Sequence, residues 1–303
     1  MGDHHDHSHA AAPRRRLAIA LCITGSVFVV EVVGAVLTGS LALLVDAAHM
    51  LTDLVGLAVA VSAALLMEKP PSDRYTWGLK RSEILAALGQ AALLLGVGLF
   101  ALVEGVRRLF EPPAVPSTAL LIFGVVGLVA NIASITVLAG GRGDNLNMRA
   151  AFLEVVNDAL GSVAVIVSAV LIATLGWERA DAVAGIAVAA LIVPRTLILI
   201  RASVGVLLER TPPGLDLAEV RAHILSRPGV VAVHDLHASL VSSQLPTLSA
   251  HVVIDETVID DAGRDALLRD LQSCVGEHFP VHIEHSTFQL EAVGYGDEDG
   301  LHS

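Results

Sequence analysis

The sequence predicts an all-α membrane domain of six transmembrane helices, followed by a small α+β domain. Of the 303 residues, 54% are hydrophobic and 17% are charged, and the mean hydropathy is +0.68. A soluble domain has roughly 25% charged residues, so these values argue against a wholly soluble protein. From Glu209 onward there are 16 acidic and 5 basic residues, a surplus of 11 that supplies nearly all of the net charge of −12. The last third of the chain is therefore predicted to face water.

Six apolar stretches, each near or above the roughly 20 residues that a transmembrane helix needs, are separated by short polar breaks. They run over Leu17–Leu37, Leu41–Met67, Ile84–Val106, Thr118–Ala139, Ala150–Leu175 and Asp181–Ile200. The first follows three arginines, as a secretory signal would, but it is longer than a signal core and has no convincing cleavage site, which indicates a retained span. Lysine and arginine are concentrated in the loops on the side of the membrane where the N-terminus lies. This distribution predicts that both termini are cytoplasmic.

The C-terminal region alternates helical and strand patterns in the order α-β-β-α-β, which predicts a small α+β sandwich. The predicted elements are Leu217–Leu225, Val230–Leu240, Thr247–Ile254, Asp261–Val275 and Val281–Leu290. The resulting division is a flexible histidine-rich N-terminus over residues 1–16, the transmembrane domain over 17–207, the α+β domain over 208–293 and a disordered acidic tail over 294–303.

Ionisable side chains inside the predicted spans are candidate functional residues, because a charge in a membrane is costly and usually faces the bundle interior. His49 and Asp53 in the second span are four residues apart, as are Glu154 and Asp158 in the fifth, so each pair shares a helix face. The four offer one imidazole and three carboxylates, which are ordinary zinc ligands. Interhelical hydrogen bonding is the alternative for each residue alone. The paired spacing favours a metal site.

Proton chemistry suits the same residues. Protonation of His49 removes the lone pair that binds a metal, so protons and a divalent cation compete for such a site, as antiport requires. Four other polar residues in the spans are candidates for interhelical hydrogen bonds or, less favoured, for pathway roles: Glu31, Gln90, Asn131 and Asn157. Asp46 either lines an external exit or caps its helix.

Several motifs resemble the cation diffusion facilitator family of metal transporters. They are SLALLVDAAHMLTD at 40–53, RYTWGLKRSEIL at 74–85, NLNMRAAFLEVVNDALGS at 145–162 and VHDLH at 233–237. The resemblance covers residues 17–291 and implies a six-helix homodimer that exports zinc or a similar divalent cation from the cytosol in exchange for protons. It implies a secondary active transporter rather than an enzyme, with a ferredoxin-like, or metallochaperone-like, cytoplasmic domain. The family's two ligand pairs fall on His49 with Asp53 and on Glu154 with Asp158.

The sequence departs from the family pattern at two places. Glu154 stands where histidine is usual, and an oxygen ligand in place of nitrogen moves preference toward manganese, iron or cobalt relative to zinc. Zinc remains the first choice. The aromatic residue usual after the VHDLH stretch is absent, since Ala238 and Ser239 follow it.

Histidines outside the spans give two weaker predictions. His234, His251 and His285 fall where related transporters place cytosolic metal ligands, so a regulatory site and solvated surface histidines both stay open. The tract at residues 3–9, DHHDHSH, has the composition of a metal-binding tail, with vector-derived residues as the alternative. Cys22 and Cys274 are too few for a disulfide framework or a four-cysteine zinc site, so thiol chemistry is not predicted.

The predicted partners are a second copy of the chain, divalent metal ions, protons and the lipid bilayer. Zinc or another divalent transition-metal ion is the expected substrate, no organic cofactor is expected, and the net charge of −12 argues against nucleic acid. The expected location is the bacterial plasma (inner) membrane. One alternative is a membrane-anchored metal sensor or storage protein that uses its terminal histidines. Another is a metal-dependent membrane enzyme, but the sequence has no motif for a nucleophile or a substrate pocket.

Overall fold

The computed structural model describes residues 8–139 and 146–294, and the helices and strands follow the predicted order. The N-terminal part contains α1 (Ser8–Thr38), α2 (Leu41–Met67), α3 (Ser82–Phe110), α4 (Ser117–Ala139), α5 (Leu146–Leu175) and α6 (Ala180–Leu207). The C-terminal part contains α7 (Leu217–Leu225), β1 (Val230–Ser242), β2 (Leu245–Ile254), α8 (Asp261–Glu277) and β3 (His285–Ala292).

The helices α1 to α6 correspond to the six predicted apolar stretches. Helix α1 begins at Ser8, so residues 8–16, which we expected to be flexible, continue the helix. Most of the histidine tract and the acidic tail lie outside the described residues. Within the described part, four helical segments are long and apolar enough to cross a membrane. They lie in α3, α4, α5 and α6. A helical membrane domain with four clear spans is therefore confirmed, and the count of six stays a prediction.

The turn between α1 and α2 is tied to the start of α6 by Asp181. Gly39 allows the turn, because its φ of 68° is in the left-handed region. The buried Asp181 carboxylate accepts hydrogen bonds from the Ser40 hydroxyl and from the Leu41 backbone N–H, the latter at 2.6 Å. It thereby satisfies a backbone donor that the first turn of a helix leaves free.

Two apolar clusters hold the helical bundle together. One joins residues of α1, α2, α4, α5 and α6, and the other joins residues of α2, α3 and α6. Helix α4 also packs closely on α1, where a Cβ atom added to Gly34 would lie 2.7 Å from Phe123 Cγ. Large apolar side chains such as Val36, Val103 and Leu191 are exposed on the outside of the helices. Such outward apolar surfaces suit contact with lipid.

The C-terminal α+β domain has a three-stranded sheet in the order β1-β2-β3. Strands β1 and β2 are antiparallel, and β3 is parallel to β2. Side chains from α7, α8 and the sheet form one core that includes Val220, Ile224, Ile254 and Leu271. The predicted order α-β-β-α-β is confirmed, with β3 beginning at His285 instead of Val281.

The chain divides into two compact units, Met1–Leu57 with Gln90–Ile198 and Ala58–Gly89 with Leu199–Ser303. The second unit therefore contains the loop between α2 and α3 in addition to the predicted α+β domain. Side-chain contacts within this unit give the reason. Arg81 Nη2 lies 2.9 Å from Glu209 Oε1, and the Ser243 hydroxyl donates to Glu83 Oε1 at 2.8 Å.

Candidate metal centre

The four residues predicted to bind a metal come together between α2 and α5. His49 Nε2 lies 3.5 Å from Asp53 Oδ2 on its own helix and 3.3 Å from Glu154 Oε1 on the facing helix. His49, Glu154 and Asp158 each place one possible ligand atom within 4.8 Å of the other two. One ion could contact atoms this close after small side-chain movements. The arrangement brings one imidazole and two carboxylates within this distance, and the Asp53 carboxylate lies beside His49.

Burial and unpartnered atoms make this cluster suited to a cation. His49 and Asp158 are 7% and 4% exposed, whereas Asp53 and Glu154 are partly exposed. His49 Nδ1 and Asp158 Oδ1 are buried without a hydrogen-bond partner among the described residues. Because buried polar atoms normally have partners, the carboxylate oxygen in particular suits a bound cation. Asp53 and Glu154 supply the more accessible side of the site.

Arg195 on α6 is a neighbour of the site that the sequence analysis missed. Its Nη2 donates to Glu154 Oε2 at 2.7 Å, so the Glu154 carboxylate lies between Arg195 and His49. The guanidinium is largely exposed. Arg195 directly follows Pro194 inside the sixth predicted span. An arginine in an apolar span is the signal that could have identified it.

A second buried polar cluster lies next to the candidate site. It contains Asp46 and Glu31, both almost fully buried, together with Asn131 and Ser162. Asn131 Nδ2 donates to Ser162 Oγ at 3.3 Å, which is the kind of interhelical bond that we favoured for this residue. A Cβ added to Gly161 would lie 2.9 Å from both oxygens of Asp46. Glycine therefore makes room for the carboxylate.

The remaining polar candidates have simpler surroundings. Asp46 does not cap α2, because Ser40 and Asp181 occupy that position. The Gln90 amide packs over Gly56, where an added Cβ would lie 2.0 Å from Gln90 Cδ. Asn157 is exposed.

The sheet of the α+β domain brings together two of its three predicted histidines. His234 Nε2 lies 2.9 Å from Glu291 Oε2, and His251 Nδ1 lies 2.8 Å from Glu291 Oε1. The two rings pack edge to face with centroids 5.1 Å apart. Glu291, which the sequence analysis did not include, is almost fully buried and completes a group of three possible ligands.

The third member of that predicted group, His285, lies elsewhere on the sheet. The parallel register pairs His285 with Thr247. Thr247 precedes His251 by four residues, or about 13 Å along a strand. The His285 ring instead makes a T-shaped contact with Trp77, with centroids 4.7 Å apart. Within one chain, His285 therefore lies apart from His234 and His251.

Comparison with protein families decides the identity of the chain. Residues 17–208 match the cation efflux transmembrane domain, and residues 212–293 match the cation efflux protein cytoplasmic domain. The chain belongs to the cation diffusion facilitator, or cation efflux, family. The resemblance seen in the sequence motifs is thus confirmed. This cation efflux protein is an integral membrane transporter of divalent metal cations and not an enzyme.

Three relatives show the extent of the similarity. The metal cation efflux system protein CzcD of Cupriavidus metallidurans is 42% identical over 96% of this chain and 90% of its own length. The cadmium, cobalt and zinc/H(+)-K(+) antiporter of Bacillus velezensis is 36% identical over 98% of this chain and 95% of its own length. The zinc transporter ZitB of Escherichia coli is 38% identical over 95% of this chain and 92% of its own length.

A solved structure also matches the C-terminal part of this cation efflux protein. It is the metal-bound C-terminal domain of the CzcD transporter from Cupriavidus metallidurans, with 38% sequence identity and a TM-score of 0.23. The match covers 25% of this chain and 99% of that domain.

Proposed function

We propose that this cation efflux protein exports a divalent cation, with zinc as its first substrate, in exchange for protons. The ion binds between α2 and α5. The observation that carries the proposal is the convergence of His49, Asp53, Glu154 and Asp158, with possible ligand atoms of three of them within 4.8 Å of one another. Neutral imidazole and carboxylate are ligands that bind zinc directly.

The coupling to protons follows from the chemistry of these ligands. A metal ion needs the His49 lone pair and ionised carboxylates, whereas protonation of the same atoms removes metal-binding capacity. The concentrations of metal and protons on each side of the membrane therefore decide whether the site binds the ion or protons there. In an alternating-access cycle, α2 carries His49 and Asp53, and α5 carries Glu154 and Asp158. Relative movement of the two helices would open and close the site.

The Arg195 ion pair supports zinc over metals that take more ligands. Arg195 occupies Glu154 Oε2, which leaves Oε1 to face His49. A carboxylate held this way offers a single oxygen to the ion. A single oxygen from Glu154 keeps the number of ligand atoms low, which suits the four-coordinate geometry common for zinc, whereas manganese suits an octahedral set of oxygen ligands. A preference for manganese, iron or cobalt is the alternative that the oxygen-rich ligand set allows.

The names of the relatives support the same function. One relative is named a zinc transporter, and another is named an antiporter of cadmium, cobalt and zinc against H(+) and K(+). We further propose six transmembrane spans, both termini in the cytoplasm and a plasma-membrane location. We also propose that the cytoplasmic domain, with a ferredoxin-like fold, joins two copies into a homodimer.

Uptake into proteoliposomes with a pH gradient tests the proposal. Zinc, manganese, iron and cobalt are compared for the parent protein, for Asp158→Asn and for Asn157→Ala as a matched control, because Asn157 is the exposed neighbour on the same helix. We expect zinc flux that needs the gradient, is lost in Asp158→Asn and is retained in Asn157→Ala. Full flux in Asp158→Asn would remove the site assignment. No flux with any metal, despite folded protein that binds metal, would favour the sensor or storage alternative.

A further inference from the structure

A third group of possible metal ligands lies on the two helices of the α+β domain. It consists of His223 in the last turn of α7, Cys274 near the end of α8 and His278 at the C-terminal cap of α8. One ligand atom from each residue lies within 4.8 Å of the others. The group is separate from His234, His251 and Glu291, which lie on the strands of the sheet.

Helix geometry brings the three side chains together. Cys274 and His278 are four residues apart and therefore project from the same face of α8. The His278 backbone N–H donates to the Cys274 carbonyl at 3.0 Å, which fixes this last turn. From α7, the His223 ring approaches to 5.2 Å from the His278 ring, measured between centroids.

The hydrophobic core holds the two helices in this position. Val220 and Ile224 on α7 are fully buried, and so are Leu271 and Val275 on α8. The His223 ring also contacts Phe279 edge to face, with centroids 5.6 Å apart. The three ligand residues are therefore attached to packed elements and not to loops. Such support favours a preformed site.

The three groups form a softer ligand set than the transport site. A thiolate and two imidazoles suit zinc, cadmium and cobalt, whereas the carboxylates between α2 and α5 also suit harder ions. Cys274 is 1% exposed, while His278 is exposed and His223 is half-buried. An ion could enter past His278 and keep a water molecule as its fourth ligand.

Arg227 opposes metal binding to His223, Cys274 and His278. Its Nη2 lies 3.3 Å from His223 Nε2, and its Nε lies 3.1 Å from Asp270 Oδ2. The guanidinium is a fixed cation that donates hydrogen bonds, so it repels a metal ion and competes for the imidazole lone pair. Asp270 already contacts the guanidinium through Nε, so Arg227 keeps an anionic partner when its Nη2 leaves His223. The group should therefore fill only when the metal concentration is high.

We propose that His223, Cys274 and His278 form a binding site for soft divalent cations, and that Arg227 opposes its occupation. Binding would connect α7 to the end of α8 and so register excess metal in the cytoplasmic domain. The site requires neither ions at the transport site nor ions at the sheet.

Cobalt titration of the full-length protein tests the proposal, because a cobalt–thiolate bond gives a near-ultraviolet charge-transfer band that imidazole and carboxylate do not give. The chain has only two cysteines, Cys22 and Cys274. We expect the band in the parent protein, in Cys22→Ser and in His251→Ala, and we expect its loss in Cys274→Ala. Absence of the band in the parent, its persistence in Cys274→Ala or its loss in Cys22→Ser would overturn the proposal.

Two further changes, at the exposed His278 and the partly buried Arg227, keep the test independent of any folding defect in the buried Cys274 variant. His278→Ala should weaken cobalt binding, measured through the band, by at least about tenfold, since a lost coordinate bond costs more than about 1.4 kcal/mol. Arg227→Gln should strengthen it. An unchanged affinity in His278→Ala would exclude this histidine as a ligand, and weaker binding in Arg227→Gln would refute the opposing role of Arg227.

Discussion

Arg195 Nη2 lies 2.7 Å from Glu154 Oε2, while the other Glu154 oxygen lies 3.3 Å from His49 Nε2. The Glu154 carboxylate on α5 therefore bridges a cation on α6 and an imidazole on α2, with one oxygen paired with the cation and the other facing the imidazole. Metal preference at this site should therefore depend on two residues, Glu154 and Arg195.

Removal of the arginine should broaden metal selectivity. In Arg195→Gln, Glu154 can turn both oxygens toward the ion, which raises the coordination number and favours manganese relative to zinc. Folding should change little, because an exposed ion pair contributes only about 0–1 kcal/mol. Competition between manganese and zinc for transport measures the effect. Arg201→Gln, at an exposed arginine six residues further along α6, is the control. An unchanged ratio would show that Arg195 does not restrict Glu154.

Replacement of the glutamate by histidine should have the opposite effect. Glu154→His exchanges an oxygen ligand for nitrogen, so the zinc-to-manganese transport ratio should rise several-fold. The same assay in proteoliposomes measures it. Asn157→His places a histidine on the exposed face of the same helix and should leave the ratio unchanged. Equal ratios in Glu154→His and the parent would argue that this position does not set selectivity.

A methyl group at Gly161 should disturb the buried Asp46 carboxylate. The added Cβ would lie 2.9 Å from both carboxylate oxygens, and overpacking of this kind costs about 1–3 kcal/mol. Thermal unfolding in detergent should therefore occur at a lower temperature for Gly161→Ala. Gly96→Ala is the matched control, because an added Cβ there meets no atom within 4 Å and alanine favours a helix. Equal destabilisation of both variants would contradict the packing argument.

The cytoplasmic sheet should bind metal through Glu291 and not through His285. Glu291→Gln removes a carboxylate that contacts both His234 and His251, so zinc binding to this group should weaken by at least about tenfold. Calorimetric titration in an Asp158→Asn background separates this binding from the transport site. The His285→Ala variant should bind zinc with the same affinity as the Asp158→Asn background protein. Loss of zinc binding in His285→Ala alone would contradict this expectation and would support His285 as a ligand, as the sequence predicted.

Much of the site could be predicted because its key relationships are local. The helical repeat places residues four apart on one face, so the pairs His49–Asp53 and Glu154–Asp158 follow from spacing alone. The cost of charge in a membrane then marks these residues as functional. Arg195 lacks a partner at such spacing, and only the packing of α6 beside α5 reveals its contact with Glu154.

The cluster of His234, His251 and Glu291 was harder to predict because it depends on register between strands distant in sequence. Alternation assigns each histidine to a face of its own strand, but it does not specify which residue of β3 lies beside His251. The parallel pairing of β2 with β3 brings Glu291 to the histidines and leaves His285 near Trp77.

Hydrophobic length, strand alternation and helical spacing act over short distances along the chain. A helical membrane domain, the order of elements in the α+β domain and the proposed ligand pairs on α2 and α5 could therefore be predicted from the residues alone. Only the packing of the elements shows the Arg195–Glu154 ion pair, the contact of Glu291 with His234 and His251, and the approach of His223 to Cys274 and His278. Each of these depends on how separate elements pack and pair, and the chain segments between them carry no local signal of that arrangement.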